Sequence, residues 1–419
     1  MKLKNERKGR LMSNNSDFFE KKKPWSIAKD LLLEKYLWPY LTKIAKLGLP
    51  LTYIDGFAGQ GRFEDGSEGS PLIALNKINE YRNSDYSQIP INAIFVEKKH
   101  SLQLQNSIMD YPNCKVFAED FCNFFEREIN NIPTASSVFM YLDPFGYSSL
   151  KYKYFDQLAT RNFRSLEMLI NFNSFGFVRN ACRVMKLEYF DEAKNQLLDG
   201  DEEIDSTKLQ ISRLNSIAGG DYWQQIIKNN TKKRLIKGLY KDAVDGKTAE
   251  IDFKNAYLVL LKKKFRYVLE MPVSESDGSV PKYRMLFVTN HRDGFLLMVD
   301  NICNRWKYLK DSWNSGQLSL FEDTQNSLGK YITSDILEET ILDHIYPGCS
   351  EVHITDFLVS IFEEQGPICK TGDLSQTIKR LEAKDKVVVR RVPPFTPTGK
   401  VSKFMDEKNG HHVFVGYPK

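Results

Sequence analysis

Four carboxylates stand directly behind short apolar runs: Asp55 after "LTYI", Glu97 after "INAIFV", Asp120 after "CKVFAE" and Asp143 after "SVFMYL". Behind the first the chain reads "DGFAGQG", and Gly56, Gly59 and Gly61 let the backbone approach a ligand where a Cβ would collide. At such strand ends Glu97 can accept from both hydroxyls of a ribose and Asp120 from an adenine amino group. Asp55 suits the cationic end of a methionine moiety. Each acid alone is explained by capping a strand, and a bare glycine loop is weak evidence. Four acids in series on one sheet edge need more. Asp55, Gly56, Phe57, Ala58, Gly59, Gly61, Glu97, Asp120 and Asp143 therefore read as a cofactor site. S-adenosylmethionine fits better than a nicotinamide dinucleotide, because the turn is not GxGxxG. No metal site is read in the chain.

The fourth acid opens "YLDPFGY". Amino-group methyltransferases of adenine or cytosine carry [DNS]PP[YF] at this place. There the acidic side chain and the first Pro carbonyl accept hydrogen bonds from the target amino group, and the aromatic stacks on the extruded base. This chain keeps Asp143 and Pro144. Phe145 replaces the second Pro, Gly146 replaces the aromatic, and Phe145 or Tyr147 is left to stack. The plainer reading is a turn that caps a strand. Phe175 and Phe177, after the next apolar run, either wall the same pocket or join the core.

These residues need a sheet to hold them. "LTYID", "INAIFVE", "CKVFAED", "SVFMYLD" and "SLEMLINFN" are strand-length apolar runs separated by helical segments, the pattern of a mostly parallel α/β sheet with helices on both faces. A helix from Pro24 precedes them, bent or divided at Pro39 and ended at Gly48. Residues 175–255 read as a helical insertion. "FRYVLEMPV" and "YRMLFVTNH" read as an antiparallel hairpin at the sheet's edge, closed by the helix "GFLLMVDNICNRW". Residues 1–23 form a basic flexible N-terminus, 24–308 the sheet domain and 309–330 a polar linker. Three short helices and two strands in 331–419 describe a winged helix.

With 419 residues, a net charge of +5 and six cysteines that never approach CxxC spacing, the chain reads as a reduced, cytoplasmic protein. No run reaches membrane-spanning length. The mild charge permits nucleic acid without demanding it. From Lys370 to Lys419 eleven Lys/Arg face five Asp/Glu. Lys379, Arg380, Arg390 and Arg391 stand where a winged helix meets phosphates, although the acidic earlier helices also suit a protein-docking module. "QLSLF", Gln317 to Phe321, resembles the short peptide that docks on the replication sliding clamp. Packing back onto its own domain is the blander reading.

In order and spacing, "YIDGFAGQGRFEDGSEGSPLIAL", "FVEKK", "YLDPFGY", "INFNSFGFVRN" and "YRMLFVTNHRDGFLLM" resemble the three-Cys-motif partner (TcmP) family, over residues 25 to about 308. The tail is similar to the C-terminal domain that many members carry. The resemblance implies a Rossmann-like methyltransferase domain from mobile or phage-defence gene neighbourhoods, with a partner protein encoded nearby. A weaker similarity, "FAGxGxF…GSPL…DPFG", links the chain to ribosomal-RNA adenine-N6 methyltransferases. Two expectations result. One is an S-adenosylmethionine-dependent methyltransferase acting on an amino group of a nucleic-acid base. The other is a cofactor-binding or inactive subunit that serves as an adaptor for a partner protein.

Overall fold

The computed structural model describes residues 24–191, 196–197, 207–236, 238–274, 281–313, 332–348, 350–407 and 410–418. The basic N-terminus, most of the linker and Gln317–Phe321 lie outside them.

Five strands run parallel: β1 (Leu51–Asp55), β2 (Ile91–Val96), β3 (Cys114–Phe117), β4 (Ser137–Leu142) and β5 (Ser165–Phe172). Their order is β3-β2-β1-β4-β5, so β1 and β4 lie side by side and the chain reverses direction of build between them. Every position of β1, β4 and β5 is buried, as runs apolar on both faces require. β10 (Tyr267–Val273) and β11 (Tyr283–Thr289) complete the sheet, β11 lying antiparallel between β5 and β10.

Helices cover both faces. On one face, α1 (Pro24–Ile44), α2 (Ser70–Arg82), α3 (Ser101–Ile108) and α10 (Arg292–Trp313) pack on Tyr53, Phe95, Phe139, Tyr141 and Phe287. Pro39 stays inside α1, and a 3-10 turn ends at left-handed Gly48. On the other face lie α4 (Phe121–Glu128), α5 (Tyr152–Thr160), α6 (Ser174–Val184), α7 (Thr207–Ala218), α8 (Trp223–Asn229) and α9 (Gly246–Lys262), around Phe124, Phe155, Phe177 and Phe253. The architecture is α/β and Rossmann-like. No described helix is long and apolar enough to cross a membrane.

The insertion is not wholly helical. It holds a four-stranded sheet, β7-β6-β9-β8, from β6 (Glu188–Asp191), β7 (Gln196–Leu197), β8 (Thr231–Ile236) and β9 (Leu239–Asp245). Left-handed Lys186 separates α6 from β6, and left-handed Gly238 turns β8 into β9. The run "KRLIKGLYKDAV", expected as helix, folds as that hairpin because its central glycine disfavours helix and serves a tight turn.

The C-terminal part comprises α11 (Ser334–His344), β12 (Val352–His353), α12 (Ile354–Gln365), α13 (Thr371–Ala383), β13 (Val388–Val392) and β14 (His412–Gly416). Its strands form a three-stranded antiparallel sheet, β12-β14-β13, one strand more than expected. The closing helix α10 continues to Trp313, into the segment expected as linker. Ile302 and Leu309 of α10 share one apolar core with Ile341, Phe357 and Leu374. The Thr371 amide and hydroxyl donate to Asp300 at 2.7 and 2.8 Å, which pins α13 to the same helix.

Candidate functional site

The carboxyl ends of β1, β2 and β4 meet at the glycine loop. Asp55 is fully buried, with Oδ1 accepting from the Phe57 amide at 3.1 Å and Oδ2 from Ser70 Oγ at 2.7 Å. Burial pushes its carboxyl up to about 7, against those two bonds. Asp55 thus organises the loop from beneath. Gly56 donates to the Tyr141 carbonyl, and a Cβ there would lie 2.8 Å from Leu142 and from Phe121. The Ala58 amide donates to Val96. Gly59 is left-handed with open space where a Cβ would point, and its amide donates to Glu97 Oε2 at 2.9 Å. Gly61 is left-handed as well. Glu97 Oε1 accepts from the Lys99 and His100 amides at 2.7 and 3.0 Å. A carboxylate has about four lone-pair sites, so Glu97 keeps one.

Asp120 lies three residues past β3, where it caps α4 by accepting from the Asn123 amide at 3.0 Å. Its neighbour Phe121 meets Phe57 with ring centroids 5.1 Å apart, so the third acid borders the loop.

Asp143 brings in two residues that sequence reasoning did not select. Its Oδ2 pairs with Lys29 Nζ, from the first turns of α1, and its Oδ1 accepts from Asn171 Nδ2 at 2.6 Å, from the end of β5. Burial pulls the Lys29 ammonium down, but Asp143, Tyr283 and Asp30 together outweigh it and hold the pKa well above the ordinary value. Asn171 was legible only as part of "INFN". Among the described residues Asn171 Oδ1 and the hydroxyls of Tyr53 and Tyr141 are buried without a hydrogen-bond partner. By strand alternation Tyr53, Asp55, Tyr141, Asp143 and Asn171 all belong to the α1 face. The site therefore offers a carboxylate with two spare lone pairs amid unfilled polar atoms.

Of the expected aromatics, Phe145 is 82% exposed at the tip of the turn that left-handed Gly146 makes. Pro144 is buried. Tyr147 is half-buried and meets Phe177 edge-on at 5.8 Å, and Phe177 stacks on Phe253 at 4.0 Å. Phe175 meets Tyr189 edge-on at 5.7 Å.

Behind the same strand ends, on the opposite face, lies a buried ion network. Arg284 donates to both oxygens of Glu250 at 2.7 Å and to Glu270 at 3.0 Å, while Ser174 Oγ donates to Glu250 and Lys254 to Glu270. Burial works against the Arg284 charge, and the carboxylates outweigh it.

In the C-terminal part the basic residues divide. Lys379 and Arg380 are exposed on α13. Arg391 is clamped by Glu382 through two bonds of 2.7 Å and donates to the Phe404 carbonyl. Arg390 pairs with Glu351 at 2.6 Å and lies over the Phe414 ring. Both strand arginines are thus engaged within the fold. His353, Glu407 and His412 bring ligand-type atoms within 4.8 Å of one another. The Glu407 oxygens are already held by His353, the Val413 amide and the Thr355 hydroxyl, so this group is a stitch.

No protein-family model and no curated protein sequence matches this chain. Among solved structures it is similar to a chain described as a Zn-dependent alcohol dehydrogenase from Rhodobacter sphaeroides, at 11% identity over 62% of this chain and 97% of that one, with a TM-score of 0.23. At that score the likeness bears on neither site nor activity.

Proposed function

We propose that the chain is an S-adenosylmethionine-dependent methyltransferase acting on an amino group of a nucleic-acid base, with the C-terminal winged helix as its recruiting module. One observation carries the cofactor: the strand order β3-β2-β1-β4-β5-β11-β10, with β11 alone reversed among the central strands. Dinucleotide-binding sheets of order 3-2-1-4-5-6 are parallel throughout. A reversed strand inserted beside the fifth is the methyltransferase departure from that plan. The ligand edge at the β1/β4 switch point then holds the glycine loop and Glu97 for the nucleoside end. The unfilled oxygens of Asn171, Tyr53 and Tyr141 fit a group rich in donors.

Bound there, S-adenosylmethionine supplies an electrophilic methyl group. The chain's residues do the rest. Asp143 accepts a hydrogen bond from the target amino group, which returns electron density to a nitrogen otherwise delocalised into its ring. Lys29 and Asn171 hold that carboxylate in one rotamer, and the Pro144 carbonyl is the second acceptor. Phe145, exposed at the tip of the turn, is the ring placed to stack on an extruded base.

Calorimetry tests the cofactor assignment. Glu97→Ala removes the loop's acceptor for the Gly59 amide as well as the ribose partner, and S-adenosylmethionine binding should weaken at least about tenfold. Unchanged affinity would remove Glu97 from the site.

A further inference from the structure

The insertion ends in a ribbon that the proposed chemistry leaves unused. β8 and β9 pair antiparallel from Thr231↔Val244 to Ile236↔Leu239. The base of the ribbon is fixed beside the carboxyl end of β5, on the face opposite the Asp143 cluster. Asp245 caps α9, and Gly246 packs so closely under Tyr189 that a Cβ would lie 2.1 Å from its ring. Tyr189 in turn meets Phe175, in the first turn after β5, and Glu250 of α9 accepts from Ser174 there. Arg234 stiffens the base, its guanidinium over the Phe190 ring at 4.5 Å and 3.3 Å from Asp245.

The tip has the opposite character. Leu235, Leu239 and Tyr240 are 62%, 64% and 76% exposed. Leu235 stands opposite Tyr240 on one face, and alternation puts Leu239 on the other, so the tip is apolar on both sides. From Thr231 to Asp245 the segment carries five basic residues against two acidic ones. Lys232, Lys233 and Lys241 are exposed along it. The tip lies about 16 Å along the strand from the anchored Val244.

We propose that this hairpin is a wedge that grips a nucleic-acid duplex beside the site, with Lys232 and Lys233 on phosphates and Leu235 and Tyr240 against a base step. The inference rests on the base-methylation reading, because an apolar blade that unstacks a step eases extrusion of the neighbouring base. A protein groove would also accept the apolar tip. The lysine flanks favour a polyanion.

The test uses the full chain and short DNA and RNA duplexes carrying 2-aminopurine, titrated by anisotropy across a salt series. The Lys232→Glu/Lys233→Glu variant should weaken binding at least about tenfold and reduce the log–log salt slope by about two. Leu235→Ser/Tyr240→Ser should keep that slope and lose the 2-aminopurine brightening that reports unstacking. Whichever duplex brightens with the unaltered chain identifies the nucleic acid. Absence of duplex binding by that chain at low salt would overturn the proposal. So would unchanged slope and fluorescence in both variants, or loss of a co-purifying protein with duplex binding intact. Calorimetry of S-adenosylmethionine on the same variants checks folding and should match the unaltered chain. A chain that binds no cofactor yet shows both hairpin effects would sink the site reading and leave the wedge standing.

Discussion

Two buried charge clusters sit at the carboxyl end of β5, one on each face of the sheet, and they are built differently. On the face under α6 and α9, Glu250 and Arg284 are almost wholly buried, at 0% and 5% exposure, and each group meets its complement in turn: Ser174, Glu250, Arg284, Glu270, Lys254. On the face under α1, Asp143 meets Lys29 and Asn171 with two lone pairs over, and Asn171 Oδ1 beside it has no partner among the described residues. A closed circuit can only hold elements together. An open one has capacity left for a ligand. The difference separates structural from chemical use of buried charge, although both clusters pair carboxylates with basic side chains.

Breaking the closed circuit should cost most. Arg284→Met leaves Glu250 buried without its guanidinium, and we expect a loss of about 3–5 kcal/mol in urea unfolding. Adding Glu250→Leu should recover most of that loss, since the stranded charge goes too. A double variant as unstable as the single one would show that the network does more than satisfy itself.

The open circuit should respond chiefly in rate. Asp143→Asn keeps an oxygen for Lys29 but weakens the acceptor, so methyl transfer to a nucleic-acid base should fall about 10²- to 10³-fold. Stability should also fall, by about 1–3 kcal/mol, because the Lys29 ammonium loses its carboxylate, while cofactor affinity should hold. Transfer at the original rate, read by mass spectrometry of nucleosides, would reduce the DPFG box to a turn.

The acids of the open face were legible because each ends an apolar run, and a parallel sheet puts such ends on one edge. Lys29 was not, because in "WSIAKDLLLEK" it reads as one more solvated lysine of an amphipathic helix. Only the packing of α1 across the sheet carries it to Asp143. The hairpin of β8 and β9 was hidden by Lys and Leu, which favour helix until Gly238 and cross-strand pairing override them. The third acid, Asp120, was placed at a strand end and instead caps a helix, because β3 stops at Phe117.

A third buried carboxylate extends the comparison to pH. Glu167, near the opposite end of β5, accepts from Tyr36 Oη at 2.6 Å and Thr289 Oγ1 at 3.1 Å, and burial pushes it up to about 7. A carboxyl raised on folding contributes stability that is complete below its unfolded pKa, near 4.5, and lost as pH rises through the folded value. Asp55 acts in the same direction. Unfolding free energy should therefore fall between about pH 5 and pH 8, and Glu167→Gln should remove roughly 2–3 kcal/mol of that fall. Parallel pH profiles for the two proteins would mean that Glu167 is ionised throughout.

The smallest effect distinguishes open from closed charge within the C-terminal part. Arg391 is 8% exposed in its side chain and held by Glu382 through two parallel bonds, whereas Arg390 is 48% exposed with one bond to Glu351. Arg391→Ala should cost about 1–3 kcal/mol because Glu382 is left half-buried and unpaired, and Arg390→Ala less than about 1 kcal/mol. For duplex binding the ranking should turn over. Lys379 and Arg380 are exposed on α13, so their reversal to Glu should weaken the proposed duplex contact and lower its salt dependence. Arg391→Ala should leave that contact alone, provided the domain stays folded. If Arg391→Ala weakened binding more than reversal of Lys379 and Arg380, the guanidinium would have to leave Glu382 for a phosphate. The clamp would then be a latch, and Arg391 would belong to the open class.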